Sequence, residues 1–463
     1  MNKIITNTKI LIALFLVLSA CSTDDLEPTL AQDKSIESSI TKIANIESIL
    51  RGTHDRLTGS GYYGRDLIAN NEVRSDNCFS NGNSGRFSTQ AEYKYNKNTD
   101  YIWNNAYQVI ANCNIIINID LTTLEGDQEK GMHIQGQALI LRALAHYDLL
   151  RVFGQQHASG TLGVPYVTTF KGTELFPKRN TITEVKTSIY SDLEKAYSMM
   201  DSKFDSSSSK TVVSKNVAKA LEARASIYFG DWARARDAAK NIIDNGNYTI
   251  ADANSYVSNW ATASAPNSIF ELGYAGDDNL SSNSLAYIYR YPSDAPAGYG
   301  DLEVAANVIN IFENGDVRKD ILGYQNGGQD LRNMKKYPDT ATGTDNIPLF
   351  RYEEVILNYA EALFEINNAD VNAVTQLNLI TSKRGATAIT TATKDIILLE
   401  RRKELMFEGF RFDDLMRTGK SIDVLDSNGS KTITITYPNS LFAYPIHVDE
   451  INANSNIEQN KGY

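Results

Sequence analysis

Ala220-Leu221-Glu222-Ala223-Arg224-Ala225-Ser226-Ile227-Tyr228-Phe229-Gly230-Asp231-Trp232-Ala233-Arg234-Ala235-Arg236-Asp237-Ala238 carries the pattern on which the fold turns. Small alanines recur where two helices must pack closely, on both sides of Gly230-Asp231, with an aromatic at the turn. Glycine breaks the first helix and the next starts at once. This is the logic of a tetratricopeptide-like repeat, and the pattern favours it over an ordinary helical hairpin with alanine at the contact.

Working outward, the upstream helix of this pair runs from Val217, and its predecessor is expected from Thr183, a candidate N-cap, through Val185, Ile189, Leu193 and Ala196. Before that, Trp103, Tyr107, Ile110, Asn114 and Ile117, then Ala138, Leu141, Ala145, Leu149 and Val152, recur at helical spacing and read as an antiparallel pair. Ile40, Ile43, Ile46, Ile49 and Leu50 open the globular part. Downstream, helices are expected at 352–364, 371–383 and 393–417, followed by short extended segments such as Thr432-Ile433-Thr434-Ile435-Thr436.

Two zones lack a period of their own. Between about 58 and 99 the chain dissolves into glycine, serine, asparagine and tyrosine; between about 248 and 345 it is loaded with aromatics, interrupted by one short helix near 305–312. Stretches that long without periodicity are usually functional or disordered. The fold class is therefore mainly α: a tetratricopeptide-like helical repeat scaffold with irregular, loop-rich insertions. Its parts are an N-terminal helical region at 38–245, with the first insertion, and a C-terminal region at 246–463, with the second.

At the front, Lys3 and Lys9 precede a short apolar run ending in Leu18-Ser19-Ala20-Cys21, so residues 1–20 read as a signal peptide and Cys21 as a lipidated residue one. An acidic tether follows to residue 37. Two acyl chains, at about 0.8 kcal/mol per buried methylene, hold a protein on a membrane that it does not cross. The net charge of −11 argues against nucleic acid as a partner. Cys78 and Cys113 are equally compatible with a disulfide and with two free thiols.

The segment Glu400-Arg401-Arg402-Lys403-Glu404-Leu405-Met406-Phe407-Glu408-Gly409-Phe410-Arg411-Phe412-Asp413-Asp414-Leu415-Met416-Arg417-Thr418-Gly419 resembles the signature of the RagB/SusD family of Bacteroidetes nutrient-uptake lipoproteins. Further blocks fall in the family's order: Trp103 with Tyr107 and Asn114, Gly136-Gln137-Ala138 with Arg142-Ala143-Leu144, the run from Phe176 to Val185, Asp316-Val317-Arg318, Arg351-Tyr352-Glu353-Glu354-Val355 and the ending Gln459-Asn460-Lys461-Gly462-Tyr463. Valine at 317 stands where the family often has proline. The resemblance implies a protein lipid-anchored at the outer membrane, facing outward, and a SusC-like TonB-dependent barrel transporter over which it sits as a lid. It also implies a ligand, oligosaccharide first and oligopeptide as the alternative.

Family resemblance carries over ligand-contact regions, not residues. Within the two insertions the candidates are Asp76, Asn83, Arg86 and Phe87 for polar and stacking contacts, and Trp260, Tyr274, Tyr289 and Tyr291 as platforms, because a flat amphipathic ring stacks on a sugar face while its hydroxyl bonds a substituent.

A surface glycoside hydrolase needs two carboxylates at a defined separation, and only Glu400, Glu404 and Glu408 offer themselves; Arg401, Arg402 and Arg411 are interleaved with them, which favours ion pairing over catalysis. A lid with negligible affinity of its own is the third reading. The five histidines stand apart from any metal or nucleophile motif, so no cofactor is expected. A structural calcium ion is compatible with oxygen-rich loops such as Asp277-Asp278-Asn279, which lack the pattern of a strong site.

Overall fold

A computed structural model describes residues 39–170, 175–206 and 208–463; the signal peptide, Cys21 and the acidic tether lie outside them. The alanine-rich pair forms as the sequence implies. Helix α6 (Lys215–Phe229) ends at Gly230, whose φ of +75° suits a residue without a Cβ, and α7 (Trp232–Asn245) begins immediately. Ala220, Ala223, Ala235, Ala238 and Ala239 are buried, so the two backbones approach closely.

The same construction repeats along the chain. Helices α1 (Ile43–Thr58), α3 (Trp103–Asn118), α4 (Gln128–Phe153), α5 (Ile182–Met199), α6, α7, α9 (Tyr352–Ile366) and α10 (Val371–Lys383) pack in succession, each mainly on its neighbours. This stacking is the tetratricopeptide-like scaffold. Helix α4 is buried on nearly all sides at its centre, so its apolar pattern runs around the helix rather than along one stripe. Its neighbour α5 is capped two residues earlier than expected: Thr181, not Thr183, accepts the Glu184 amide at 3.2 Å while the Glu184 carboxylate accepts the Thr181 amide at 2.8 Å, a reciprocal capping box.

The insertions are less irregular than their composition suggests. The first contains helix α2 (Asp66–Val73) and strand β1 (Cys78–Ser80). The second contributes β2 (Ser268–Leu272), the short helix α8 (Leu285–Tyr289), β3 (Leu302–Val304) and the β4–β5 hairpin (Leu322–Gln325, Asp330–Asn333), and β6 (Ile347–Arg351) follows it. Antiparallel pairs β1–β3 and β2–β6 join distant segments, β1–β3 stitching one insertion to the other. The helix expected near 305–312 is a 3-10 turn at Ala306–Ile311, and the C-terminal extended segments form the β7–β8 hairpin (Ile422–Leu425, Lys431–Ile435). Cys78 and Cys113 are both buried free thiols, which decides the pairing that the sequence left open.

The segment expected as one helix at 393–417 is two, α11 (Lys394–Leu405) and α12 (Arg411–Arg417), separated by a tight loop in which Phe407 (φ +68°) and Gly409 (φ +80°) turn left-handed. Glu400 and Glu404 lie on α11, whereas Glu408 lies in the loop, so the three do not share one helical face. Their charges are consumed internally. Arg384 bonds Glu404 at 2.9 and 3.0 Å and Glu353 at 3.0 Å. Arg351 grips Glu408 with two bonds of 2.7 and 2.8 Å, and Lys336 reaches Glu408 at 2.6 Å and the Met406 carbonyl at 2.7 Å. Arg318 spans Asp316 and Glu400. Burial alone would raise the Glu404 carboxyl, but Arg384, Arg351 and Arg318 hold it far below the usual range. Among the described residues no helix is long and apolar enough to cross a membrane.

Removing one partner from such a lattice leaves charge buried without compensation, a loss of roughly 3–5 kcal/mol. Glu404→Gln is therefore expected to lower unfolding stability by about that amount in urea denaturation, whereas Glu194→Gln, on an exposed carboxylate, changes it by less than about 1 kcal/mol.

Candidate functional site

The loop between α11 and α12 is also the seat on which the first insertion rests. The Gly409 amide donates to the Glu72 carboxylate at 2.9 Å, the Gly409 carbonyl accepts from Asn71 at 3.0 Å, and a Cβ at Gly409 would stand 3.2 Å from the Ile68 Cα. Helix α2 is thereby fixed with its N-terminal end toward solvent. Arg65, Asp66 and Asn70 project there into a cleft of about 340 Å³, within the usual range of small-molecule sites.

One wall comes from Arg86, Phe87 and Gln90, the other from Asp100, Tyr101 and Asn105 at the start of α3. Phe87 sits at φ +61°, a left-handed conformation rare for an aromatic, which turns the chain from the Gly82–Gly85 loop into the cleft wall. The Arg65 guanidinium lies 5.8 Å from the Phe87 ring centroid, bonds Asp66 at 2.7 Å and donates to Asn283 of the second insertion at 2.7 Å. Arg86 stacks on Tyr299 at 4.3 Å and faces the buried Asp301 carboxylate at 3.7 Å. Asn105 donates to the Gly61 carbonyl at 2.9 Å. Among the described residues the side-chain oxygen of buried Asn70 has no hydrogen-bond partner.

Behind this cleft Tyr101 stacks on Tyr444, which lies with Tyr93, Tyr95 and Phe412 around the buried Arg74 guanidinium. The cleft wall therefore rests on the C-terminal tail.

Of the eight residues singled out from the sequence, the structure brings Arg86 and Phe87 into this cleft. Asn83 is exposed at the nearby loop tip. Asp76 is a correction: it is bonded twice by Arg411, at 2.7 and 2.8 Å, and faces Arg402; burial would raise its carboxyl, but these guanidinium partners hold it below its ordinary value. Tyr289 is a second. Its ring has no exposed area and packs on Phe407, because α8 turns Tyr287 outward and Tyr289 inward. Trp260 is 8% exposed, its ring covered by Lys336 at 4.2 Å and Arg351 at 5.1 Å, and it lines a separate cleft of about 350 Å³ with Pro338, Asp339 and Asn346. Tyr274 is half-buried and donates to the Thr58 carbonyl at 2.8 Å; Tyr291 is half-buried beside Arg332. These platforms do not share one surface with the cleft.

An exposed aromatic stands next to the cleft: Tyr299, 39% exposed, lies under the Arg86 guanidinium and edge-on to Tyr287 at 4.9 Å. Arg65, Asp66, Asn70, Gln90, Asp100, Tyr101 and Asn105 were not singled out, although Gly61-Tyr62-Tyr63-Gly64-Arg65-Asp66 stands in the first insertion. Gly64 is a signal of a close turn: a Cβ there would lie 2.1 Å from the Thr58 carbonyl oxygen. Among the described residues no group of three or more His, Cys, Asp or Glu side chains could hold a metal ion, and Asp277 and Asp278 stand exposed in their turn.

A stacked helical-repeat scaffold that presents a polar, partly aromatic cleft from its inserted loops defines a binding protein of the tetratricopeptide-like class. The chain belongs to the RagB/SusD family. A model described as the SusD family matches residues 317–463, and one described as starch-binding associating with outer membrane matches 25–228. A SusD-like protein of Formosa agariphila is 24% identical over 98% of both chains. The starch-binding protein SusD of Bacteroides thetaiotaomicron is 29% identical over 36% of this chain and 29% of its own. A crystal structure of a putative sugar binding protein from Bacteroides vulgatus superposes with a TM-score of 0.82 at 28% identity, covering 92% of this chain and 99% of that one.

Glu72 links the site to the scaffold and yields a pH test. Burial pushes its carboxyl up to about 7, against the Asn77 and Gly409 bonds that favour the charged form. The folded state thus keeps a proton that the unfolded chain, near 4.5, releases. This contribution is fully present below about pH 4.5 and is lost as pH rises through about 7. In urea denaturation at about pH 5 and about pH 8, Glu72→Gln is expected to flatten the decline in stability relative to the parent chain.

Proposed function

We propose that the chain is a cell-surface glycan-binding lipoprotein, anchored through Cys21 to the outer membrane, that captures oligosaccharide in the Arg65–Phe87 cleft and delivers it to a SusC-like TonB-dependent transporter. The observation that carries this reading is the cleft itself. Charged and amide side chains converge there beside an aromatic rim, in a chain whose relatives include a starch-binding protein and a putative sugar binding protein.

Capture is non-covalent. Sugar hydroxyls both donate and accept, and hydrogen bonds to the charged groups Arg65, Asp66 and Asp100 are the stronger kind, roughly 1.5–3 kcal/mol each. Tyr299, exposed beside Arg86, supplies an apolar face, while Phe87, 7% exposed, backs the cleft wall. The carboxylates that once suggested glycoside hydrolysis argue against that chemistry: Glu404 and Glu408 are held ionised by arginine and lysine, the opposite of the raised value a general acid needs.

Calorimetric titration of the chain from Ser22 onward with plant, algal and microbial oligosaccharides tests this. Heat from at least one glycan is expected, with affinity falling at least about tenfold, or 1.4 kcal/mol, in Arg65→Ala. Peptide heat with silence from every glycan overturns the reading. Gly61→Ala gives a finer probe, because its Cβ would meet the Asn105 amide nitrogen at 2.7 Å and push that flexible side chain aside. Weaker glycan binding with melting temperature unchanged within about 2 °C is expected.

A further inference from the structure

The charges that line the cleft have a balance that bears on which glycans enter. Two guanidiniums face it, and neither is free. Arg65 is bonded to Asp66 at 2.7 Å and to the Asn283 side-chain oxygen. Arg86 is the counter-ion of Asp301, whose carboxylate is 1% exposed and accepts no hydrogen bond among the described residues. Asp100 adds a second lining carboxylate, exposed at the cleft mouth. The lining thus carries two carboxylates against two guanidiniums, with Asp301 buried behind Arg86 as a third carboxylate, within a chain of net charge −11.

We infer that this cleft selects uncharged oligosaccharides and rejects uronic-acid and sulfated ones; the inference rests on the glycan-capture reading and narrows it. A uronate or sulfate seated on Arg86 would draw that guanidinium from Asp301 and leave a buried carboxylate without compensation, one of the most unfavourable exchanges a protein interior offers. One seated on Arg65 would compete with Asp66 and meet the field of Asp100. A neutral sugar asks for neither exchange. Its hydroxyls bond to the outer lone pairs and N–H groups of the paired charges, with the ion pairs intact. Neutral binding also lacks a charge-screening component, so it is insensitive to salt.

The test compares neutral probes (maltohexaose, xylohexaose, mannohexaose and galactan oligosaccharides) with anionic ones (oligogalacturonate, oligoguluronate and carrageenan oligosaccharides), each titrated at low and high sodium chloride. Heat from a neutral probe is expected, with affinity changing less than about twofold across salt and no anionic probe binding within about a hundredfold of it. Asp100→Asn, on an exposed side chain, is expected to strengthen any anionic probe at least about threefold, and Asp301→Asn, which frees Arg86, more strongly. An anionic probe binding as tightly as the best neutral one, with affinity that falls steeply with salt, overturns this inference and leaves glycan capture standing. Heat from peptides alone overturns both.

Discussion

Everything in this structure leans on a lattice of buried ion pairs around Glu404 and Glu408. Arginine and lysine come to these two carboxylates from the second insertion (Arg318, Lys336), from the end of β6 (Arg351) and from the C-terminus of α10 (Arg384). Each charge is costly to desolvate, so the lattice is favourable only when all its members arrive together. That requirement locks the aromatic insertion to the helical stack and makes the two one body. It also explains why the signature segment is so dense in charge: the residues act on one another and not on a substrate.

The lattice reaches the cleft in two steps. Glu408 fixes the left-handed loop at Phe407 and Gly409, and that loop clasps Glu72 and Asn71 of α2, whose N-cap Arg65 and helical residues Asp66 and Asn70 line the cleft. A parallel support runs from the tail of the chain, where Tyr444 stacks between Tyr95 and Tyr101 beside Arg74. Loops that carry function on a rigid scaffold are the usual arrangement in proteins, and here the rigidity comes from polar and aromatic networks more than from regular secondary structure.

Much of the scaffold was legible. Helical periodicity located the stacked helices because a stripe or cylinder of apolar residues leaves a 3.6-residue signature, and alanine at the α6–α7 contact with Gly230 at the turn marked a close pair. The periodicity failed where geometry is set by a single backbone angle. Continuous helical pattern ran through 393–417, yet Lys336 bonding the carbonyls of Glu404 and Met406 draws the chain out of the helix there. The site was less legible. Arg86 and Phe87 were reached through their loop, while Tyr289 was turned inward against Phe407, Trp260 was covered by Lys336 and the half-exposed Asp76 was engaged by Arg411, all partners more than 70 residues distant in sequence.

The sequence by itself determined the helical repeat class, the positions of the two insertions and the family signature, because these follow from local periodicity and from residue order, which need no knowledge of distant neighbours. Tertiary structure alone decided which polar and aromatic side chains face solvent. Exposure depends on what lies across the interface, and an arginine, a tyrosine or an aspartate suits either a buried network or a binding cleft. Only the approach of distant segments assigned Asp76 to Arg411 and left Arg65, Asn70 and Asn105 at the cleft.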